Sequence, residues 1–185
     1  AAYVESCLDL LTKGETEQYM KMTGRSKEQA ESDYESNIDA MMTEMDQFNL
    51  SDELSNSYRQ LFKDVYAKAK YTVKDAEKMD DKDGYYVTVE IEQMTGLFNR
   101  IQEELITAFT EWANSFDADT YPTEDEMYEQ MYQMMYDLMS ARLDSITYND
   151  PQEVVVEVIG EDNVYSISDG SMTELDEALL DVATE

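Results

Sequence analysis

The sequence contains no histidine, one cysteine, two prolines and six glycines among its 185 residues. Without histidine, the chain lacks the commonest general base, the usual partner of a serine or cysteine nucleophile, and the commonest transition-metal ligand. The single cysteine, Cys7, cannot form an intramolecular disulfide. It lies on the apolar face of the first predicted helix and has Glu5 and Asp9 as neighbours, so we expect a buried thiol rather than a nucleophile.

Basic residues are also scarce, because 13 Lys and Arg stand against 43 Asp and Glu, for a formal net charge of −30. Residues 1–100 hold 12 of the bases and 21 acids, whereas residues 101–185 hold 22 acids and only Arg142. Such a surface repels phosphate backbones and anionic lipid headgroups, so we expect no nucleic-acid partner. It favours cations or a basic partner, or it is simply a solvated, self-repelling surface that keeps the protein soluble.

Long apolar runs are absent as well, and no segment approaches the ~20 apolar residues that cross a bilayer. We therefore predict no transmembrane segment. The chain begins at Ala1 inside a helical pattern, without an initiator Met, which we expect of a mature or trimmed chain whose targeting segment has been removed. Since 42% of the residues are apolar, a single folded domain over residues 1–185 is predicted despite the charge.

Apolar residues recur at every third or fourth position in six stretches, which predicts six helices. Ser26 with Gln29 and Thr123 with Glu126 have the spacing of capping boxes. Gly14 ends the first helix, and residues 14–25 are predicted to form a polar connector. The predicted helices are residues 2–13, a segment from Ser26 to Met45, residues 51–69, residues 97–116, a segment from Thr123 to Ile146, and a last helix capped by Ser171 and Glu174.

The apolar period changes from 3.6 to 2 at Lys70, where Tyr71 and Val73 alternate with polar residues. A second alternating stretch follows the turn DDKDG, and the same pattern returns near the end of the chain around Gly160-Glu161-Asp162. Alternation on both sides of a short turn is typical of half-buried antiparallel hairpins. The predicted hairpins are residues 70–74 with 85–92, and residues 152–160 with 163–168.

The first of these turns also has features of a calcium-binding loop. In MDDKDGYYVTVE, Asp81, Asp83, Gly84 and Glu90 occupy the third, fifth, sixth and twelfth positions of an EF-hand loop. However, Met79 stands at the first position, which needs an oxygen ligand, and a strand follows the loop instead of a helix. We interpret the segment as the turn of a hairpin, with weak calcium binding at the turn as the alternative.

The two halves of the chain align at an offset of 97 residues, which places Val4 on Ile101 and Ser26 on Thr123. This predicts a degenerate internal duplication with halves 1–93 and 94–185, and a chance match of amphipathic helices is the alternative. Since the strands come only as hairpins after helices, the predicted fold class is α+β. Long helices are expected on one face of an antiparallel sheet made from the two hairpins.

Two segments, AAYVESCLDLLTKGETEQYMKMTGRSKEQAESDYESNI and AKYTVKDAEKMDDKDGYYVTVEI, resemble a group of small Gram-positive cell-surface lipoproteins of unknown function. The shared motifs are an Ala-x-Tyr-Val-x-x-x-Leu-Asp start from Ala1, a Lys-Gly break at Gly14, a helix capped by Ser26, a Lys-Tyr-x-Val strand from Lys70 and an Asp-Gly-Tyr-x-Val-x-Val strand from Asp83. The resemblance covers most of residues 1–92. It implies an exported protein that is tethered by a lipidated Cys upstream of Ala1, with a cystatin-like or nuclear-transport-factor-like fold. It supplies no catalytic residues.

The segment MYEQMYQMMYDLM, residues 127–139, carries two neighbouring stripes at helical spacing. Met-rich surfaces bind varied apolar partners and tyrosine is favoured at interfaces, so the Tyr stripe is a candidate interaction face. The alternative is that the Met stripe belongs to the core and the Tyr stripe forms its amphipathic rim. The stripes consist of Met127, Met131 and Met135, and of Tyr128, Tyr132 and Tyr136.

No phosphate-binding loop, dinucleotide fingerprint, serine elbow or zinc-ligand spacing is present, so no catalytic, cofactor-binding or metal-binding residue is predicted. The leading hypothesis is a non-enzymatic, lipid-anchored extracellular protein that binds an unknown protein, peptide or small ligand at the cell surface. A structural or interaction module of a surface assembly, without a small-molecule site, is the alternative. An enzyme that uses acidic residues is a third hypothesis.

Overall fold

The computed structural model describes residues 1–43, 45–117, 119–161 and 164–182. The chain changes from helix to strand at Lys70, as the change of period predicts. Within the described residues the helices are α1 (Ala2–Lys13), α2 (Glu17–Thr23), α3 (Lys27–Met42), α4 (Asp52–Tyr66), α5 (Ile101–Ala113), α6 (Glu124–Arg142) and α7 (Asp169–Leu179). The strands are β1 (Lys70–Lys78), β2 (Gly84–Glu92), β3 (Met94–Thr95), β4 (Thr147–Tyr148), β5 (Gln152–Glu161) and β6 (Val164–Ile167). Single turns of 3₁₀ helix lie at Asp46–Phe48 and Leu143–Ser145.

Both hairpins belong to one four-stranded antiparallel sheet with the order β1-β2-β5-β6. The hairpins join through β2 and β5, where Val87 lies opposite Val156 and Val89 opposite Val154. This arrangement confirms the predicted α+β class and the shared sheet. Asp162, in the predicted turn of the second hairpin, and Asn163, the first residue of its predicted second strand, lie outside the described residues.

The two faces of the sheet have different environments. Inward-pointing residues such as Val87, Val89 and Val156 are buried, as the period of 2 predicts. The opposite face carries cross-strand ion pairs, with Lys74 at 3.2 Å from Glu90. The helices therefore pack on one face and leave the other to solvent.

The core forms where α1, α4 and α7 meet the inner face of the sheet. On α4, Leu54, Tyr58, Leu61 and Val65 follow the i, i+4, i+7, i+11 spacing of a single stripe, and all four are buried. Ser51 caps α4 by accepting a hydrogen bond from the Leu54 N–H.

Helices α5 and α6 form a hairpin at the periphery. Among the residues of α5, Ile101 alone is buried, and the helix packs mainly on α6.

The first residues of α3 and α6, Lys27 and Glu124, stand 97 positions apart, and each helix has a complete capping box. The internal duplication stays a prediction. In the described part of the chain, no helix has the length and apolar character that a membrane span requires.

The structure corrects several predicted boundaries. The connector after Gly14 contains a two-turn helix, α2, which sequence periodicity misses because α2 buries no residue. Helix α5 begins at Ile101 rather than at residue 97, because Arg100 adopts a left-handed conformation with φ 54°. Helix α7 is capped by Ser168 instead of Ser171, whose buried hydroxyl accepts a hydrogen bond from the Glu157 N–H. The short ladder between β3 and β4 was not predicted.

Candidate functional site

The calcium-like segment is the turn of a hairpin. The Met79 N–H donates to the Gly84 carbonyl at 3.0 Å, and β2 leaves the turn as an extended strand. Glu90 lies on the outer face of that strand beside Lys74, well removed from Asp81 and Asp83, because a strand advances about 3.3 Å per residue. The hairpin interpretation is confirmed. Among the described residues, no group of three or more Cys, Asp or Glu is arranged to hold a metal ion.

The predicted interaction face on α6 packs against the protein itself. The rings of Tyr128 and Tyr132 have centroids 4.8 and 5.1 Å from that of Phe48, and the Tyr136 centroid lies 5.7 Å from that of Tyr58. The Tyr58 hydroxyl donates to the Tyr132 carbonyl at 2.7 Å. Much of this face is therefore engaged within the protein, and its role in binding stays a prediction.

The alternative, a Met stripe in the core with the Tyr stripe as its amphipathic rim, also stays a prediction, because burial does not distinguish the two stripes. Met127, Met131 and Met135 are half-buried, as are the three tyrosines. The reason is the peripheral position of α6, which contacts α4 on one side and α5 on another without entering the centre of the core. Only Met139, near the end of the helix, is buried.

A more suitable site is an apolar pocket of about 210 Å³ between the start of α1 and the inner face of the sheet. We call it the sheet pocket. Met22 of α2, 47% exposed, contributes to its wall. The side chains that define the sheet pocket are Tyr3, Met22, Ala76, Tyr85, Val158 and Tyr165.

A second pocket, of about 170 Å³, lies on the other side of Tyr3, between α1, α2, β6 and α7. We call it the helix pocket. The Asp33 carboxylate is part of its wall, where it accepts a hydrogen bond from the Tyr19 hydroxyl at 3.1 Å and pairs with Arg25 at 2.9 Å. The helix pocket is lined by Tyr3, Cys7, Leu10, Leu11, Tyr19, Asp33, Ile167 and Met172.

The local sequence explains why Tyr3 separates the two pockets. Tyr3, Cys7 and Leu10 follow the i, i+4, i+7 spacing, so they share one side of α1. On β6, Tyr165 and Ile167 are two residues apart and therefore point to the same face of the sheet. Tyr165 lines the sheet pocket and Ile167 lines the helix pocket.

Three ionisable groups of the site, Cys7, Tyr3 and Tyr165, are held in their neutral forms. Burial raises the pKa of the Cys7 thiol to about 11, so the thiol stays protonated at neutral pH. Burial also raises the pKa of Tyr3, with the neighbouring Cys7 as a further cause. The Asp83 carboxylate raises the pKa of the exposed Tyr165. Such walls can hold apolar groups, with tyrosine hydroxyls available for hydrogen bonds.

Sequence reasoning did not find these pockets, because their walls come from eight elements that are spread along the chain. Two features of the sequence could have indicated that these residues lie together. Tyr165 and Ile167 share one face of a predicted strand, and Tyr3, Cys7 and Leu10 share one side of a predicted helix. The contribution of Met22 could not be anticipated without α2.

Comparison with known proteins gives a likeness of fold to a solved structure. No protein-family model matches the chain, and no curated protein matches it. The crystal structure of ycdA from Bacillus subtilis subsp. subtilis str. 168, provisionally described as a lipoprotein, has a similar fold with a TM-score of 0.61 at 15% sequence identity. The similarity covers 96% of this chain and 55% of that one, so the chain spans about half the length of its relative. At this identity the likeness establishes the fold alone, and it lends no support to a cystatin-like or nuclear-transport-factor-like arrangement.

Proposed function

We propose that this chain is a non-enzymatic binding domain of a lipid-anchored cell-surface protein, and that it holds apolar groups of a ligand in the sheet pocket and the helix pocket. The observation that carries the proposal is the pair of apolar pockets on either side of Tyr3. An apolar cavity of about 150 Å³ accepts a benzene molecule, so each pocket is suited to one group of that size. Neither reaches the ~300 Å³ at which pockets for drug-sized ligands begin.

The surface location is supported by two independent likenesses. The structure from Bacillus subtilis is provisionally described as a lipoprotein, and the motifs from Ala1 to Asp9 and from Asp83 to Val89 resemble those of Gram-positive lipoproteins. The anchor would be a lipidated cysteine upstream of Ala1. Expression of the whole gene in its own host with an alkyne-tagged palmitate tests this part. We expect the protein to be found in the membrane fraction with the tag attached. A protein without the tag would contradict the lipid anchor.

Two methionines allow the pockets to be tested separately by NMR with ¹³C-methyl methionine. Met22 reports on the sheet pocket and Met172 on the helix pocket, whereas the buried Met139 of α6 is a matched control. N-acetyl-leucine amide and N-acetyl-phenylalanine amide are suitable probes, because their side chains have the size that the pockets accept. We expect saturable shifts of the Met22 and Met172 methyl signals and no shift of Met139.

Uniform shifts of all methionines, or none at either pocket, would overturn the binding function and favour the structural module without a ligand site. A Tyr3→Ala variant extends the test. Since the Tyr3 side chain lines both pockets, its removal should reduce the ligand-induced shifts of the Met22 and Met172 methyl signals together. A Tyr128→Ala variant should leave both responses unchanged, because Tyr128 lines neither pocket.

A further inference from the structure

The outer edge of β6 offers unpaired peptide groups. Within the described residues, β6 pairs with β5 alone. The Ser168 N–H donates to the Glu157 carbonyl at 2.9 Å, which continues this ladder by one residue. Since hydrogen-bonded and non-hydrogen-bonded pairs alternate in antiparallel ladders, Ile167 and Tyr165 fall in non-hydrogen-bonded pairs. Their N–H and C=O groups therefore point away from β5, toward the free edge.

The two pockets adjoin this edge at the spacing of a β-strand. Tyr165 lines the sheet pocket and Ile167 lines the helix pocket, and the two residues are about 7 Å apart along β6. An extended chain beside β6 has the same repeat. Its side chains at positions i and i+2 would meet the two pockets, one each.

The opposite edge of the sheet is protected against such pairing. β1 carries Lys70, Lys74 and Lys78, and its register shifts between Val73 and Ala76, as at a β-bulge. Edge lysines and bulges are devices that prevent strand addition. β6 has the sequence VYSI, without lysine or proline, and Val164 and Tyr165 are 68% and 39% exposed.

The charge at the β6 edge indicates which kind of partner segment can bind there. Asp83, Glu161 and Asp169 are exposed there, whereas the nearby bases Lys82 and Arg25 are already paired with Glu157 and Asp33. A second copy of this chain would bring its own net charge of −30 to the interface. A segment with basic residues is complementary to this edge.

We propose that an extended basic segment of a partner protein adds to β6 as a fifth, antiparallel strand and inserts two alternate apolar side chains into the sheet pocket and the helix pocket. The proposal rests on the proposed function, because it uses the same two pockets. It assigns affinity to main-chain hydrogen bonds with Tyr165 and Ile167, and specificity to the pockets.

A set of short acetylated peptide amides tests this, with the Met22 and Met172 methyl signals as the readout. KLKLK places both leucines toward the pockets and its lysines toward the outer face, where Glu157 and Glu161 lie. KKLLK has the same composition without alternation, and ELELE reverses the charge. We expect KLKLK to shift both signals and to bind roughly tenfold or more tightly than either control.

Backbone methylation separates strand addition from simple pocket filling. In an antiparallel fifth strand, the residues opposite Tyr165 and Ile167 donate to β6, so methylation of both leucine N–H groups should weaken binding at least roughly tenfold. Methylation of the central lysine N–H, which points away from β6, should leave binding unchanged. The antiparallel strand would be overturned if unmodified KLKLK and its two methylated forms bound equally well. It would also be overturned if methylation of the lysine N–H alone weakened binding.

The two proposals can fail separately. If the single amino-acid amides shift Met22 and Met172 but KLKLK binds no better than KKLLK, the pockets stand and strand addition is wrong. If neither the amides nor the peptides shift these signals, both proposals are wrong.

Discussion

Single residues in left-handed conformations determine where several helices begin and end. Gly14 and Gly24 follow α1 and α2 with φ of 68° and 73°, a region that glycine enters without the steric cost of a Cβ atom. The glycine at position 14 made the end of α1 predictable from sequence. Arg100 adopts the same region before α5, and no sequence signal marked it, because arginine has no preference for that conformation.

The two glycines form a matched pair for mutation. A Cβ atom at position 14 would lie 3.1 Å from the Tyr34 ring, whereas a Cβ atom at position 24 would have no neighbour within 4 Å. We expect Gly24→Ala to cost at most about 1 kcal/mol, because α2 buries nothing and can adjust locally. Gly14→Ala should cost about 2 kcal/mol, because backbone strain and crowding of Tyr34 add. Urea unfolding measures both, and equal costs would contradict a role for the Tyr34 contact.

At the scale of helices and strands, elements with strong local signals were predicted well. Capping boxes located the starts of α3 and α6, and alternation located β2, whose Val87, Val89 and Ile91 are buried as expected. Helix α2, which the sequence missed, buries no residue. Periodicity reflects burial, so elements held by few core contacts leave a weak pattern.

Helices α4 and α5 should contribute unequally to stability. Leu61 of α4 is 3% exposed within the core, whereas Leu105 of α5 is half-buried against α6. We expect Leu61→Ala to lower the free energy of unfolding by about 3 kcal/mol and Leu105→Ala by about 1 kcal/mol.

Urea unfolding followed by far-ultraviolet circular dichroism measures this difference. Hydrogen exchange supplies a check on the cause, because the amides of α5 should exchange before those of α4 in the unmutated protein. Similar losses from the two substitutions would show that α5 is as firmly held as the core.

At the scale of the whole molecule, negative charge dominates. The ion pairs on the surface are exposed or half-exposed, such as Lys27 with Glu31 at 3.4 Å, and pairs of this kind contribute little. The net charge of −30 therefore opposes folding through self-repulsion, which salt screens.

We expect the melting temperature to rise when sodium chloride increases from low to physiological concentration. Glu111, in the last turn of α5, opposes the helix dipole as well as adding to the net charge. A Glu111→Lys variant should melt higher than the unmutated protein at low salt and should gain less from added salt. A melting temperature that falls with salt would show that the ion pairs outweigh the repulsion.

The aromatic cluster at the far end of α5 has a consequence for spectroscopy. Trp112, the single tryptophan of the chain, packs between Phe109 and Phe116, with ring centroids 5.3 and 5.0 Å away. Its emission therefore reports on the peripheral helical hairpin, whereas tyrosine emission comes from 14 side chains across the molecule, including the buried Tyr58. Emission in the indole band should therefore follow the detachment of the α5–α6 hairpin. Tyrosine emission should follow the unfolding of the whole molecule.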